Sequence, residues 1–368
     1  MPEAPTVIKC LIWDLDNTLW RGTLLEDPEV ALPEEIRRTI AELDSRGILQ
    51  AVASKNDHDH AWQRLRDLGI AEYFVLAEIG WHPKSQSVKA IADRLNFAMS
   101  TIAFIDDQPA EQAEVAYHHP EVRCYPAERA TALAGLPEFS PVVTSDARRR
   151  REMYHAGFRR TAERERFTGP DEAFLRSLDL VMEIQRADDA DLARLEELTL
   201  RTSQMNATGV HYSGSDLSAL LADPGHDVLA VSLTDRFGPH GAVGVLLIGY
   251  HERVWHLKLL ATSCRVVSFG AGSVLLDRLI DAAAAAGVHL AADFRPTDRN
   301  RIMEIAYRFA GFTGDACDCL AALPGAGADR HGIEFRHLVA ERRPAPTTMR
   351  VTAPALGPGQ GRPRMPLS

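Results

Sequence analysis

Residues 10–20 read CLIWDLDNTLW, and this stretch decides the fold. An apolar run from Val7 to Trp13 stops at two acidic residues, Asp14 and Asp16. Side chains at i and i+2 of an extended chain point the same way, so the two carboxylates share one side just past the strand's C-terminal end. Open parallel sheets place their ligands at such ends. One carboxylate can attack phosphorus, while the other protonates the leaving oxygen and then activates water. On its own, D-x-D-x-T is a common string that also suits an acidic turn.

Working outward, apolar runs and helical patterns alternate. Glu34 to Leu43 has helical spacing, Ile48 to Ala53 is apolar, and Asp57 to Leu68 is a helix closed by Gly69. Tyr73 to Leu76 is a strand, Lys84 to Leu95 a helix, Thr101 to Ile105 a strand, and Pro109 opens another helix. This alternation predicts a parallel sheet covered on both faces. Ser54 ends the second strand, where its hydroxyl and neighbouring amides can hold a phosphate. Lys84 opens a helix and can neutralise both nucleophile and phosphoryl oxygens. Asp106 and Asp107 follow the fourth strand. An anionic nucleophile repels an anionic phosphate, so the site needs a hard cation. Asp14, Asp16, Asp106 and Asp107 make up the candidate oxygen set for Mg²⁺. Four such elements in order on successive strand ends are far harder to obtain by chance than any one of them.

The chain has 368 residues, which suits two domains. The expected bounds are 1–144 for the first domain, 145–170 for a connector, 171–343 for a second domain and 344–368 for a tail. The connector carries RRRRE at 148–152 and is read as a solvated helix. In the second domain the patterns give a helix over Asp188–Thr202 and strands near Val228–Leu233, Ala242–Tyr250 and Val254–Leu260. A helix over Ser273–Ala286 and a strand near His289–Phe294 follow. Between strand and helix lies Arg265-x-x-Ser268-x-Gly270-x-Gly272, a loop that can offer amides and a helix N-terminus to a phosphate. Beyond Pro344, Pro, Gly and Arg dominate, and the tail is expected to be disordered.

Lys plus Arg number 41 against 51 Asp plus Glu, a net charge of −10, which argues against a general nucleic-acid or membrane-surface binder. No run is long enough for a membrane-spanning helix, and no secretory leader pattern opens the chain. Five scattered cysteines do not read as a disulfide framework, and a cytoplasmic location is the simplest expectation. Cys10 reads as packing in a buried strand. Cys317 and Cys319 form a lone C-x-C with no Cys or His pair at a matching distance, so the reading is structural rather than metal-binding.

DLDNT, Ser54 in VASKND, Lys84 in WHPKS and the Asp pair in FIDDQP resemble the four motifs of the haloacid dehalogenase superfamily. WDLDNTLW, ASKND, PKS and FIDDQPAE are similar to its FkbH-like subgroup. The resemblance implies an α/β fold: a haloacid dehalogenase-like Rossmannoid sheet without a large cap, followed by an N-acetyltransferase-like domain. Trp20 to Pro33 leaves room for at most a flap. It further implies a Mg²⁺-dependent phosphatase with Asp14 as nucleophile and Asp16 as acid/base. In the subgroup, 1,3-bisphosphoglycerate, a phosphorylated three-carbon glycolytic substrate, is dephosphorylated. Its glyceryl group is loaded onto an acyl carrier protein for polyketide extender units of the methoxymalonyl type.

The second domain resembles acetyltransferases through RTSQMNATG, LTDRFGPHGAVG, LLATSCRVVSFGAG and FRPTDRNRIMEIAYRFAGF. Their loop uses Arg/Gln-x-x-Gly-x-Gly/Ala to bind the pyrophosphate of coenzyme A. Ser268 stands at the first glycine position, which puts coenzyme A binding in question and is compatible with the single phosphate of a carrier's phosphopantetheine arm. Spacing alone favours Cys264 as a small buried hydrophobe; the resemblance favours a thiolate relay between acyl phosphate and carrier thiol. Asn206, His211 and Asp235 can line a second site or serve as caps and turns. Arg295 can bind a phosphate or join a surface ion pair. The rival functions are a plain phosphatase with a partner-binding or regulatory second domain, and a non-catalytic docking module.

Overall fold

Between residues 10 and 126 the alternation is realised as β1 (Cys10–Trp13), α1 (Glu34–Ser45), β2 (Leu49–Ser54), α2 (His58–Asp67), β3 (Phe74–Ile79), α3 (Lys84–Leu95), β4 (Ile102–Asp106), α4 (Pro109–His118) and β5 (Arg123–Pro126). The computed structural model describes residues 6–358 apart from 28, 142, 203, 327 and 329, and without the side chains of 145, 201 and 264. The chain divides into two compact units, Met1–Phe158 and Arg159–Ser368.

In the first unit the strand order is β3-β2-β1-β4-β5 and every pairing is parallel. β1, β2 and β4 are buried along their whole length, as a sheet covered on both faces demands. Alternation sends Leu11 and Trp13 into one core and Cys10 and Ile12 into the other. Trp13 brings an indole N–H into that interior, and Gln50 answers it: Trp13 Nε1 donates to Gln50 Oε1 at 3.0 Å, and Gln50 Nε2 donates to Ile40 O at 2.9 Å. Burial pushes the Cys10 thiol far up, in keeping with packing. The chain leaves β1 toward β2 on one side and reaches β4 on the other, so the crevice opens at the C-terminal end of β1.

Residues 20–33 form a small flap pinned by Arg21 and Ala31, which exchange both backbone hydrogen bonds. Trp20, Leu24 and Val30 are buried in the sheet's core, so the flap is part of the domain. α5 (Ser145–Arg148) and α6 (Arg150–Arg166) follow, and the division between the units falls inside α6. The arginine run expected to be solvated is largely paired. Arg150 Nη1 donates to Gly47 O at 3.0 Å, and Arg151 Nε donates to Asp44 Oδ1 at 2.9 Å while its guanidinium lies over Tyr73. Gly47 has φ +74°, and a Cβ there would stand 2.5 Å from Ala147 O, so the contact of α5 with the α1–β2 turn requires glycine.

The second unit contains α7 (Asp171–Ser177), β6 (Leu180–Arg186), α8 (Leu192–Arg201), α9 (Gly214–Ala222), β7 (His226–Asp235), β8 (Gly238–Tyr250), β9 (Val254–Thr262), α10 (Ala271–Ala286), β10 (His289–Phe294), α11 (Arg301–Ala310), β11 (Glu334–Leu338) and β12 (Met349–Thr352). The sheet order is β11-β10-β9-β8-β7-β6-β12. β6 to β9 pair antiparallel, whereas β9 and β10 run parallel with α10 as their crossover. One correction concerns the expected disordered tail. Met349–Thr352 pairs parallel with Leu180–Glu183, and Arg186 Nη2 donates to Ala355 O at 2.8 Å, so main-chain pairing orders a stretch with little apolar content. Residues 359–368 lie outside the described residues. Among the described residues no helix is long and apolar enough to cross a membrane.

Candidate active site

Asp14 follows β1, Ser54 ends β2, Asp106 ends β4 and Lys84 opens α3, so three crossovers deliver the expected residues to one crevice. Lys84 Nζ donates to Asp14 Oδ1 at 2.5 Å, Asp106 Oδ2 at 2.8 Å and Ala53 O at 3.0 Å. All three ammonium protons have acceptors, which an ammonium only 3 % exposed requires. Burial lowers the lysine's pKa, but Asp14 and Asp106 outweigh it and the ammonium is held charged. Burial raises the Asp14 carboxyl to about 6; Lys84 opposes the rise and Asp106 adds to it. Burial, followed by Asp106, also raises Asp107.

The helix that carries Lys84 has Pro83 at its N-cap and no capping side chain of its own. Glu114 on α4 takes that role: its carboxylate accepts Ser85 N at 2.9 Å and Ser85 Oγ at 2.5 Å. Asp106 is fixed at its other oxygen by Gln108 N at 2.8 Å, and its carbonyl accepts Gln112 Nε2 at 2.8 Å.

Asp16 is held by the flap. Trp20 Nε1 and Leu24 N donate to its Oδ1 at 2.8 and 3.0 Å, and Asn56 Nδ2 donates to its Oδ2 at 3.0 Å. Asn17, at φ +55°, turns the chain here and accepts Gly22 N through its side chain at 3.1 Å. Asn56 is buried, and its Oδ1 accepts Asp57 N at 3.0 Å. Sequence reasoning missed Asn56; the signal was its place two residues beyond Ser54, at the end of a buried strand. Ser54 is buried at the crevice, and its carbonyl accepts Gly80 N at 3.0 Å.

Asp14, Asp106 and Asp107 each bring a carboxylate oxygen within 4.8 Å of the others. The Asp16 carboxylate is outside this group. Lys84 meets two carboxylates, Asp14 and Asp106, and Asp107 with Asp16 near it adds further negative charge, an excess that a divalent cation would balance. Hard oxygen donors of this kind suit Mg²⁺, so the residues present fit that ion.

In the second unit Cys264 begins a 3₁₀ turn (Cys264–Phe269), and its side chain lies outside the described residues. Ser263 Oγ accepts Arg265 N at 3.4 Å and Nε at 3.3 Å. Gly270, at φ +71°, is the N-cap of α10, and a Cβ at Gly270 or Gly272 would meet nothing within 4 Å. Arg265, Ser268, Gly270 and Gly272 thus surround an open helix N-terminus. Asn206, His211 and Asp235 act as turn and cap residues. Asn206 Oδ1 accepts Thr208 N and Gly209 N at 3.0 and 2.8 Å, His211 Nδ1 lies 3.0 Å from Thr199 Oγ1, and Asp235 Oδ1 accepts Phe237 N at 2.9 Å. Asp235 also forms a buried ion pair with Arg160. Among the described residues no carboxylate pairs with Arg295.

Residues 22–116 match the family described as haloacid dehalogenase-like hydrolase. The match includes Ser54, Lys84, Asp106 and Asp107 and begins beyond Asp14 and Asp16. The first unit therefore carries a haloacid dehalogenase-like hydrolase domain. No curated protein matches the chain by sequence. Among solved structures, the N-terminal part of a Bacteroides fragilis protein containing a phosphatase domain complexed with Mg is 27 % identical, with TM-score 0.33, over 36 % of this chain and 40 % of that one. This chain thus spans well under two thirds of that protein's length. The 3-deoxy-D-manno-octulosonate 8-phosphate phosphatase of Moraxella catarrhalis, in complex with magnesium, phosphate and KDO, is 21 % identical, with TM-score 0.25, over 29 % and 61 %. The ribosomal-protein-S18-alanine N-acetyltransferase of Escherichia coli is 16 % identical, with TM-score 0.31, over 44 % and 96 %. These likenesses are partial, and the two architectures rest on the strand orders given above.

Proposed function

We propose that the first unit is a Mg²⁺-dependent phosphatase acting through an aspartyl-phosphate on Asp14. The observation that carries this reading is the bridge of Lys84 between Asp14 and Asp106 at the ends of two parallel strands. An Asp14 oxygen attacks phosphorus, the bond to the leaving oxygen breaks, and Asp16 gives that oxygen a proton. Asp16 then takes a proton from water, whose oxygen displaces Asp14 and releases phosphate. Lys84 holds the attacking carboxylate in place, and the Ser54 hydroxyl would receive a phosphoryl oxygen. Asp14, Asp106 and Asp107 would hold Mg²⁺, which supplies positive charge to offset the repulsion between nucleophile and phosphate. The test is phosphate release from a phosphomonoester by the full chain. Asp14→Asn and chelation should each abolish it, with Mg²⁺ restoring activity after chelation. Near-parental release by a folded Asp14→Asn chain overturns the assignment.

The finer reading follows the FkbH-like resemblance. The substrate is 1,3-bisphosphoglycerate, and the second unit passes its glyceryl group to the phosphopantetheine thiol of an acyl carrier protein for polyketide extender-unit synthesis in the cytoplasm. The Cys264 thiolate attacks the acyl carbon, expels the acyl phosphate's phosphate and holds a thioester, which the carrier thiol then displaces. Arg265, Ser268, Gly270 and Gly272 would receive the phosphate of the carrier arm at the α10 N-terminus. Intact-mass analysis of a carrier protein incubated with the chain, Mg²⁺ and 1,3-bisphosphoglycerate tests this reading. Cys264→Ala should stop loading while phosphate release persists; normal loading by that variant points to direct attack by the carrier's thiol. Phosphate release with no loading at all leaves a plain phosphatase.

A further inference from the structure

Cys317 and Cys319 gain two histidine partners that sequence spacing conceals. His289 opens β10, and His337 lies in β11 opposite Ala291 of β10 in the antiparallel pair. His289 is two residues from Ala291, so the two imidazoles stand on one face of the sheet. The C-x-C lies in the segment joining α11 to β11, with Cys317 at the N-cap of a 3₁₀ turn, Asp318–Ala322. His289 Nδ1 is 3.1 Å from His337 Nε2 and 3.5 Å from Cys317 Sγ. One donor atom from each of the four residues, Cys319 included, lies within 4.8 Å of all the others.

These separations can be set against a tetrahedral zinc site. Bonds of about 2.05 Å to nitrogen and about 2.3 Å to sulfur put two nitrogens about 3.3 Å apart, nitrogen and sulfur about 3.6 Å, and two sulfurs about 3.8 Å. The two distances above agree within a few tenths of an ångström. Two thiols and two imidazoles are borderline-soft donors that favour Zn²⁺ over the hard cations suited to the acidic crevice. We propose that His289, Cys317, Cys319 and His337 form a Cys₂His₂ site for a structural Zn²⁺.

Four protein ligands leave no open position, the mark of a structural rather than a catalytic ion. Location agrees. His289 pairs with Val254, so the site lies at the N-terminal ends of the parallel strands β9 and β10, whereas the Arg265–Gly272 loop leaves the C-terminal end of β9. The segment from Thr313 to Ile333 contains one short 3₁₀ turn and otherwise no regular element among its described residues. Its apolar anchorage is one small cluster: Cys319 and Leu323 pack on Val254 and Ala291, with Cys317, Leu320 and Phe335 against them. Arg330 ties its far end to Asp293 through hydrogen bonds of 2.8 and 2.7 Å. Thr313 and His337 exchange both backbone hydrogen bonds at the near end; a zinc ion would fasten the C-x-C between these two ties, and its binding free energy would add to folding.

The test is direct. The full chain is reduced with a phosphine, stripped of metal by chelation, and titrated with Co²⁺ and then Zn²⁺. The expected result is thiolate-to-cobalt charge-transfer absorption with the intense visible bands of a tetrahedral site, saturating near one Co²⁺ per chain and abolished by Zn²⁺. The carboxylates of the first unit cannot generate the charge-transfer signal. Metal analysis of the chain as purified should find about one zinc, and the Cys317→Ser/Cys319→Ser double variant should lose both zinc and bands and unfold several degrees lower. The proposal is overturned if the reduced parent chain gives no thiolate-to-cobalt bands, or if the double variant keeps zinc at the parental ratio. Should the double variant fail to fold, the parent titration decides alone.

Discussion

Lys84→Met removes an ammonium while keeping most of the side chain's length, and its cost can be worked from the contacts. In the parent, one ammonium serves two carboxylates that are 6 % and 1 % exposed, Asp14 and Asp106. Removing one partner of a buried ion pair costs about 3–5 kcal/mol, because a charge is left buried and uncompensated. Here two carboxylates are left facing each other, so the upper end, about 5 kcal/mol, applies near neutral pH without added metal. The pH dependence has a definite sign. Lys84 opposes the burial that raises Asp14 to about 6, so its loss lifts that pKa further. A carboxyl whose folded pKa lies above its unfolded value destabilises the fold at high pH, and the penalty fades as pH falls through the folded pKa. The gap between variant and parent is therefore wide near pH 8 and narrower near about pH 5.5. Urea unfolding followed by tryptophan fluorescence measures it, since Trp13, Trp20, Trp62 and Trp81 lie in the first unit and only Trp255 in the second. A gap below about 1 kcal/mol at both pH values, or one that widens on acidification, refutes the argument.

Asn56→Ala removes one of three donors to Asp16; kcat for phosphate release should fall about 10- to 100-fold, with an altered pH profile and little loss of stability, which steady-state kinetics and a melt would check. Gly47→Ala forces a side chain into a left-handed conformation and against Ala147 O, and should cost the first unit about 2 kcal/mol or more in urea unfolding. Burial raises Asp235, but His240, Arg160 and the Phe237 amide outweigh it and hold the carboxyl below its usual range. Its contribution is thus present above about pH 4 and is lost as pH falls below that value; melts of parent and Asp235→Asn across this window should converge toward the acid side.

Much of the first unit was legible because its signals are local. A buried parallel strand is a continuous apolar run, and a residue presented at its end stands beside it in sequence, as Asp14 stands beside Trp13. Lys84 and Asp106 were legible for the same reason, each opening or closing an element. Asn56 was not, because an asparagine after a strand is ordinarily a turn residue, and only the pairing of β1 with β2 brings Asp16 to it. The four proposed zinc ligands come from β10, the α11–β11 segment and β11, and the spacing rule that set aside the C-x-C looks only along the chain. The arginine run at 148–151 read as solvated because its partners, Gly47 O and Asp44, lie a hundred residues away.

β12 has a consequence for how the protein is made. Met349–Thr352 lies beside β6, and the Arg186–Ala355 hydrogen bond joins groups 169 residues apart. The first unit can close once the ribosome has passed residue 158, whereas the sheet of the second keeps the β6 edge bare until β12 emerges. An unpaired edge is a template for pairing with another chain. A nascent or clipped chain ending near Pro344 would present that edge while every residue of the acidic crevice was already in place. Loss of the last strand should therefore appear as aggregation of chains that still hydrolyse phosphate esters.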